Sequence, residues 1–271
     1  MKTLISSEKY SLKVYLQKIY FHKSLILTLA KRDLKVKYAQ TSLGLLWTAI
    51  QPLTGLLIFT FFFNKVMKIE SIPESGYAVF AFTGMTSWYF FSYLVYQSST
   101  SLIQNQELMK KIYFPKLILP ISKVLVGLVD FGISMILLLI IMMINGIVPS
   151  WHIIFLPIFI LLNITVGLSV SIWLSALTVK KRDLQHIVPY LMNFGIWLTP
   201  VFFPATLIPE KYRVLLYLNP MAGIVEGFRW CIWEYGHYDI YYSIGIVLSI
   251  LLLVSGVWYF RKVEDEIIDV L

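Results

Sequence analysis

Asp130 is a carboxylate set deep in an apolar run, where it has chemistry to do. In SKVLVGLVDFGIS it follows Lys123 by two helical turns on the same face, and at 1.5 Å per residue it lies roughly 20 Å from the inner end of its run. A carboxylate at that depth is costly unless it meets a partner or water, so it is a functional candidate by default. Asp130 is expected either to be protonated or to hydrogen-bond Asn163, Asn193 or a hydroxyl of another run. A proton-driven pump would carry more such groups, and this is the one deep carboxylate. Other chemistry is scarce. A single cysteine, Cys231, excludes an intrachain disulfide, and the histidines at 22, 152, 186 and 237 are too scattered for a local metal motif. Neither a GxxxxGK[ST] loop nor HExxH or GxSxG occurs. If ATP drives this protein, another chain must bind it, and the clustered carboxylates or His-Asp pair of a membrane glycosyl- or acyltransferase are missing.

The elements that would position Asp130 are membrane spans. The 271 residues are 58% hydrophobic and 14% charged, against about 25% charged in globular proteins. The net charge of +8 would suggest nucleic acid in a soluble protein, but Lys and Arg gather in the short polar segments between apolar runs and read as topology. No uninterrupted apolar stretch with a cleavage site stands among the lysines of the first thirty residues, so no signal peptide is expected. Runs long enough to cross a hydrocarbon core of about 30 Å fall at 44–64, 77–97, 117–144, 151–179, 187–204 and 240–260, giving six spans. Gln51-Pro52 should kink the first and free a carbonyl. With both termini inside, 18 of the Lys and Arg residues fall on the inner side and 5 on the outer. The tetrapeptide KRDL occurs at 31–34 and again at 181–184. Both copies are then cytoplasmic, which argues against the inverted repeat of many secondary transporters.

Three segments between spans are unusual. Residues 8–31 place Leu12, Tyr15, Leu16, Ile19, Ile26 and Ala30 on one helical face, as in a helix lying on the inner leaflet or packed on a partner. Residues 102–113 should form a compact polar helix with Gln106, Glu107, Lys110 and Lys111, closed by Pro115, either a plain connection or a piece that docks in another protein's groove. Residues 206–233 are outside by charge count yet too apolar for a solvated loop, so two re-entrant half-helices are expected near 206–218 and 220–233. Asn219 would cap the second, Pro220 would open it, and Glu226 and Arg229 would pair at i,i+3. Aromatic residues make up 16% of the chain; they serve as interfacial belts and lipid-facing packing, or line a channel in which rings stack on sugar faces.

RDLKVKYAQTSLGLLWTAIQPL at 32–53, KKIYFPKLILPISKVLVGLVDFGIS at 110–134, and RDLQHIVPYLMNFGIWLTPVFFP with LNPMAGIVEGFR at 182–204 and 218–229 together resemble the permease subunits of ABC exporters for bacterial cell-surface polysaccharides. The likeness is to the Wzm type, which exports O-antigen, with teichoic-acid and capsule permeases as relatives. The capsule permeases usually end the first motif in Glu-Pro where this chain has Gln51-Pro52. The resemblance implies a homodimer of six-span, all-α subunits in the bacterial inner membrane. Two copies of a separate ABC nucleotide-binding subunit, holding ATP and magnesium, would drive export of an undecaprenyl-diphosphate-linked glycan, a step of lipopolysaccharide biosynthesis. It likens 8–31 to an interface helix, 102–113 to a coupling helix whose Gln106, Glu107, Lys110 and Lys111 meet the ATPase, and 206–233 to periplasmic gate helices. On that reading Arg32, Lys35 and Lys37 meet the lipid pyrophosphate. Tyr38, Trp47, Phe59, Phe63, Trp197 and Phe202 line the glycan path. An exporter of drugs or small lipids would share the fold without needing such a path.

Overall fold

The computed structural model describes residues 11–39, 44, 46–66, 76–233, 236 and 238–270. Residues 8–10 of the expected interface segment, position 45 of the first expected span, His237 and Lys68 lie outside them. The described residues form an all-helical bundle, in which five helices are long and apolar enough to cross a membrane.

The expected interface helix is two helices. α1 (Leu12–Phe21) starts at Ser11, whose hydroxyl accepts the Val14 N–H. It stops at His22, and α2 (Lys23–Ala39) runs on well past position 31. Tyr15 and Ile19 of α1 are buried as its apolar stripe predicts, but Leu12 and Leu16 stay exposed. α3 (Leu46–Phe59) carries Pro52 inside and widens into a π-helical stretch at Thr60–Val66. A proline removes one ladder hydrogen bond, and a π-turn realigns the helix beyond it.

α4 (Tyr77–Gln104) is the central post, buried along most of its length, whereas α3 is mostly exposed. Near its C-terminal end runs Ser98-Ser99-Thr100-Ser101, polar yet buried. Those hydroxyls return to carbonyls of the preceding turn, and Ser98 instead reaches Pro120 O at 3.0 Å. Small residues let the neighbouring helix close in; a Cβ on Gly167 would come within 3.0 Å of Leu94. α4 continues through Gln104, so the expected coupling helix at 102–113 is shorter. Asn105 breaks the chain and α5 covers only Gln106–Lys111. α6 (Ile118–Ile144) and α7 (Leu156–Lys180, entered by a 3-10 turn at Trp151–Phe155) match the third and fourth expected spans. α11 (Ser243–Val270), entered by a 3-10 turn at Ile240–Tyr242, covers the rest of the last expected span and extends beyond it.

The fifth expected span is the exception. α8 (Leu184–Gly195) has 12 residues, about 18 Å of helix, too short for a core of about 30 Å. The chain from 196 to 204 is irregular, then passes through short 3-10 turns at Ala205–Leu207 and Glu210–Tyr212 into α9 (Arg213–Leu218) and α10 (Pro220–Trp233). The first expected half-helix, 206–218, is therefore a broken chain of turns with one six-residue helix; the second is formed as expected.

Side-chain ties show that 184–204 nevertheless runs from one end of the bundle to the other. At one end Lys180 meets Glu266 at 2.8 Å and Glu264 accepts the Lys116 N–H at 2.6 Å. At the opposite end Tyr77 donates to Phe202 O at 3.0 Å and Ser150 N–H to Ile232 O at 2.9 Å. Non-helical backbone at such depth persists only where protein satisfies it. Arg229 of α10, fully buried, does most of this: its guanidinium donates to Pro200 O and Val201 O at 2.7 Å each, reaches Phe80 O at 3.4 Å and pairs with Glu226 at 2.8 Å. Gly84 leaves it room, since a Cβ there would stand 2.9 Å from the guanidinium and from Val201 O.

Arg229→Met should therefore lower stability by about 3–5 kcal/mol, because it strands a buried carboxylate and two carbonyls. Thermal unfolding in detergent measures the loss, and Arg229→Met with Glu226→Gln should recover part of it.

Candidate functional site

α2 and α6 carry charges in opposite order. Along α2 an acid, Asp33, precedes a base, Lys37; along α6 a base, Lys123, precedes an acid, Asp130. Laid side by side the helices neutralise each other twice. Lys123 Nζ donates to Asp33 at 2.7 Å, and Lys37 Nζ donates to Asp130. Lys123 and Asp33 are the more enclosed pair, with side chains 6% and 16% exposed. Arg32 bonds Asp33 as well and reaches the side-chain oxygen Oδ1 of Asn105 at 2.7 Å, tying α2 to the break between α4 and α5. Asp130 thus meets a lysine and a phenol rather than Asn163, Asn193 or a simple hydroxyl. Asn163 is engaged elsewhere, donating to Ser87 O at 2.9 Å.

The phenol is Tyr38, whose hydroxyl donates to Asp130 and lies 3.3 Å from the Thr48 hydroxyl of α3. Burial, and then the hydrogen bond to Asp130, push its pKa up to about 12, so it remains a protonated donor at physiological pH. Lys37 Nζ also stands 4.9 Å above the Tyr93 ring, a cation–π contact that helps hold the ammonium at the end of α2. The C-terminal part of α2 therefore runs along α6 from Lys123 as far as Asp130.

Beside this pair lies a partly enclosed cavity of about 560 Å³ between the end of α2 and helices α3, α4 and α6. Lys37, Tyr38 and Asp130 form its charged corner. Trp47, Tyr89, Phe90, Tyr93 and Phe131 supply aromatic walls, and Thr48, Gln51, Thr86 and Ser134 supply polar groups. Its size is that of a small-molecule site.

The residues expected from sequence to act together divide into separate places. Arg32 and Lys37 are paired with Asp33 and Asp130, while Lys35 is exposed, so the three do not converge as a bare cationic cluster. The acidic partners were in the sequence, but only docking of α2 on α6 brings them close. Tyr38 and Trp47 line the cavity. Phe59, Phe63, Trp197 and Phe202 pack on one another: Phe59 stacks on Phe202 with ring centres 3.7 Å apart, and Trp197 meets both at 5.5–5.7 Å. Phe202 is fully buried, so in this conformation it is core rather than channel wall.

In α5, Glu107 stands in the first turn and Lys110 and Lys111 in the last, which suits the helix dipole. Met109 anchors the helix in the core, Gln106 is half-buried, and Ile112 and Tyr113 just beyond are exposed. At the other end Asn219 caps α10, its side-chain oxygen accepting the Met221 N–H at 3.0 Å while its amide reaches Leu198 O and the Thr199 hydroxyl. Pro220 opens the helix. Glu226 and Arg229 are the buried pair described above. Thr86 and Tyr93 were not singled out by sequence reasoning, because a hydroxyl or ring in an apolar span has no local signature.

Comparison with known proteins agrees along most of the chain. Residues 24–233 match the ABC-2 type transporter family. The chain is 32% identical over 221 residues to the O-antigen export system permease protein RfbA of Myxococcus xanthus, covering 81% of this chain and 84% of that protein. A protein of the same name from Klebsiella pneumoniae is 29% identical over 255 residues, covering 91% of this chain and 95% of its own. The polysialic acid transport protein KpsM of Escherichia coli is 25% identical over 202 residues, covering 72% and 76%.

If the Lys37–Asp130 pair is a coupled unit, Lys37→Met and Asp130→Asn should each destabilise the protein, and the double variant should lose less than the sum. A double-mutant cycle on thermal unfolding should give a coupling of roughly 0.5–3 kcal/mol; strict additivity would remove the pair from the account.

Proposed function

The chain belongs to the ABC-2 type transporter family, and on that premise we propose that it is the membrane subunit of an ATP-driven exporter of O-antigen polysaccharide. The carrying observation is the similarity to two O-antigen export permeases over four fifths or more of both chains. The substrate is a glycan linked to undecaprenyl diphosphate, moved from cytoplasm to periplasm across the bacterial inner membrane. The likeness to the polysialic acid transport protein supports capsule polysaccharide as the second reading.

In this reading the five long helices and the broken segment 184–204 make six crossings with both termini in the cytoplasm, as the excess of inner Lys and Arg favours. Two copies form the exporter. The surfaces that meet are the faces of α3 and α8, which carry exposed Trp47, Ile50, Leu57, Tyr190 and Phe194, with Trp197 just beyond α8. The glycan path runs between them. α1 with the start of α2 lies at the inner leaflet, and Lys35 with the exposed part of Arg32, three residues apart on α2, takes the lipid pyrophosphate. α5 with Ile112 and Tyr113 docks on the separate ATPase, which binds ATP and magnesium, while α9 and α10 gate the outer end.

In the source cells, loss of this chain should abolish surface polysaccharide while the lipid-linked polymer accumulates inside, and the chain should co-purify with an ATPase whose turnover it stimulates. Tyr113→Ala with Glu107→Lys should cut that stimulation at least several-fold while leaving the permease folded. Unchanged surface polysaccharide without this chain would sink the proposal.

A further inference from the structure

The cavity at the end of α2 contains a polar group with nothing to bond. Thr86 is 4% exposed, lines the cavity, and its hydroxyl has no hydrogen-bond partner. A threonine in a helix ordinarily returns its hydroxyl to the preceding turn, as Thr83 does to Val79 O at 2.7 Å. Leaving a buried hydroxyl unpaired is destabilising, so the group is either a defect or one half of an interaction with something that enters.

Three further features define what would enter. Opposite Thr86, Pro52 of α3 has no N–H to give the Thr48 carbonyl, and Thr48 and Gln51 both line the cavity. Acceptors and donors thus face inward from two helices. Trp47, Tyr89 and Tyr93 present rings on which a flat apolar face can stack. The charged corner is neutral in sum: Lys37 is matched by Asp130, and Tyr38 adds a hydrogen bond to the same carboxylate. A phosphate would have to sit beside Asp130 and compete for Lys37, and a lipid chain would leave Thr86 and Gln51 unmet. A ring with hydroxyls on its edge and carbon–hydrogen faces satisfies both the walls and the polar groups.

We propose that this cavity, contained within one subunit, is a recognition site for a neutral sugar ring of the exported glycan, with Thr86 and Gln51 bonding ring hydroxyls and Trp47 stacking on the ring. The proposal rests on the export function above and narrows it: the sugar and the pyrophosphate are held in different places, the pyrophosphate near exposed Lys35 and the sugar beside the neutralised pair. Asp130 is then a selectivity residue. By neutralising Lys37 it keeps anions out.

The test uses the permease with its ATPase in lipid nanodiscs. The probe is the reducing-end oligosaccharide released from the cells' own polymer by mild acid, free of lipid and phosphate, with inorganic pyrophosphate as the comparison ligand. The intact complex should bind the oligosaccharide saturably. Thr86→Val, which keeps shape and removes the hydroxyl, should weaken that binding roughly five- to ten-fold with the melting temperature unchanged or raised, while Thr86→Ser should retain it. Gln51→Leu, on the exposed face of α3, should weaken it independently. Asp130→Asn should add pyrophosphate binding that the unaltered complex lacks at this site. Equal oligosaccharide affinity in Thr86→Val and Gln51→Leu, or no binding by the intact complex, overturns the sugar site. Polymer export by the same cells is followed in parallel: export that persists while the site fails leaves the exporter reading standing, and export independent of this chain removes both.

Discussion

One guanidinium holds together the non-helical stretch of this bundle. Buried backbone polar groups must be satisfied internally, and the segment 184–204 does so by helix only as far as Gly195. Beyond it, the carbonyls of Pro200 and Val201 accept from Arg229, Phe202 from Tyr77 and Leu198 from Asn219. The donors sit on α4 and α10, so the irregular strand, the central post and the outer helix are fixed as one piece. Phe202 is turned inward by that fixation, and its stacking on Phe59 then sets the outer end of α3. Any opening of this end has to carry Arg229 and its acceptors together or leave them unmet.

At the other end the organising principle is charge complementarity. α2 is too polar to enter a membrane alone, and α6 carries a lysine and an aspartate that would be costly in isolation. Each helix solves the other's problem, because Asp33 and Lys37 face Lys123 and Asp130 in register. The arrangement pins one face of α2 to α6, with Leu29 and Ala30 buried, and leaves a pocket where α2 ends. The same end is tied to the last helix, since Glu264 accepts the Lys116 N–H at the start of α6 and Arg261 lies 5.1 Å over the Tyr15 ring of α1. Movement of α5, joined to α6 through buried Phe114 and Leu117, would be felt by all of these elements at once.

A polysaccharide exporter has to hold a polymer without gripping it. Aromatic walls and neutralised charges suit that requirement, since stacking and single hydrogen bonds are each weak. The exposed apolar faces of α3 and α8 complement this picture: they are the least self-satisfied surfaces of the bundle, and α3 in particular packs little on its own chain.

Much was legible from residues alone. Length and hydropathy located the long spans, because a run of about 20 apolar residues has few other uses, and the Asn219-Pro220 cap with Arg229 three residues beyond Glu226 was readable because capping and i,i+3 pairing are local. The family was legible for the same reason: extended motifs survive as written sequence. What the sequence could not determine were the partners of its charges. Asp130 was visible as an anomaly, but that it meets Lys37 and Tyr38, 93 and 92 residues away, depends on α2 lying along α6. Nor could hydropathy tell that 187–204 is apolar yet only partly helical, since the irregular stretch there is satisfied by donors from elsewhere in the chain, Arg229, Tyr77 and Asn219. Local pattern determined the elements and their caps; long-range electrostatic and backbone satisfaction, which has no signature within a window of sequence, decided which of them became struts, which became core and where the cavity opened.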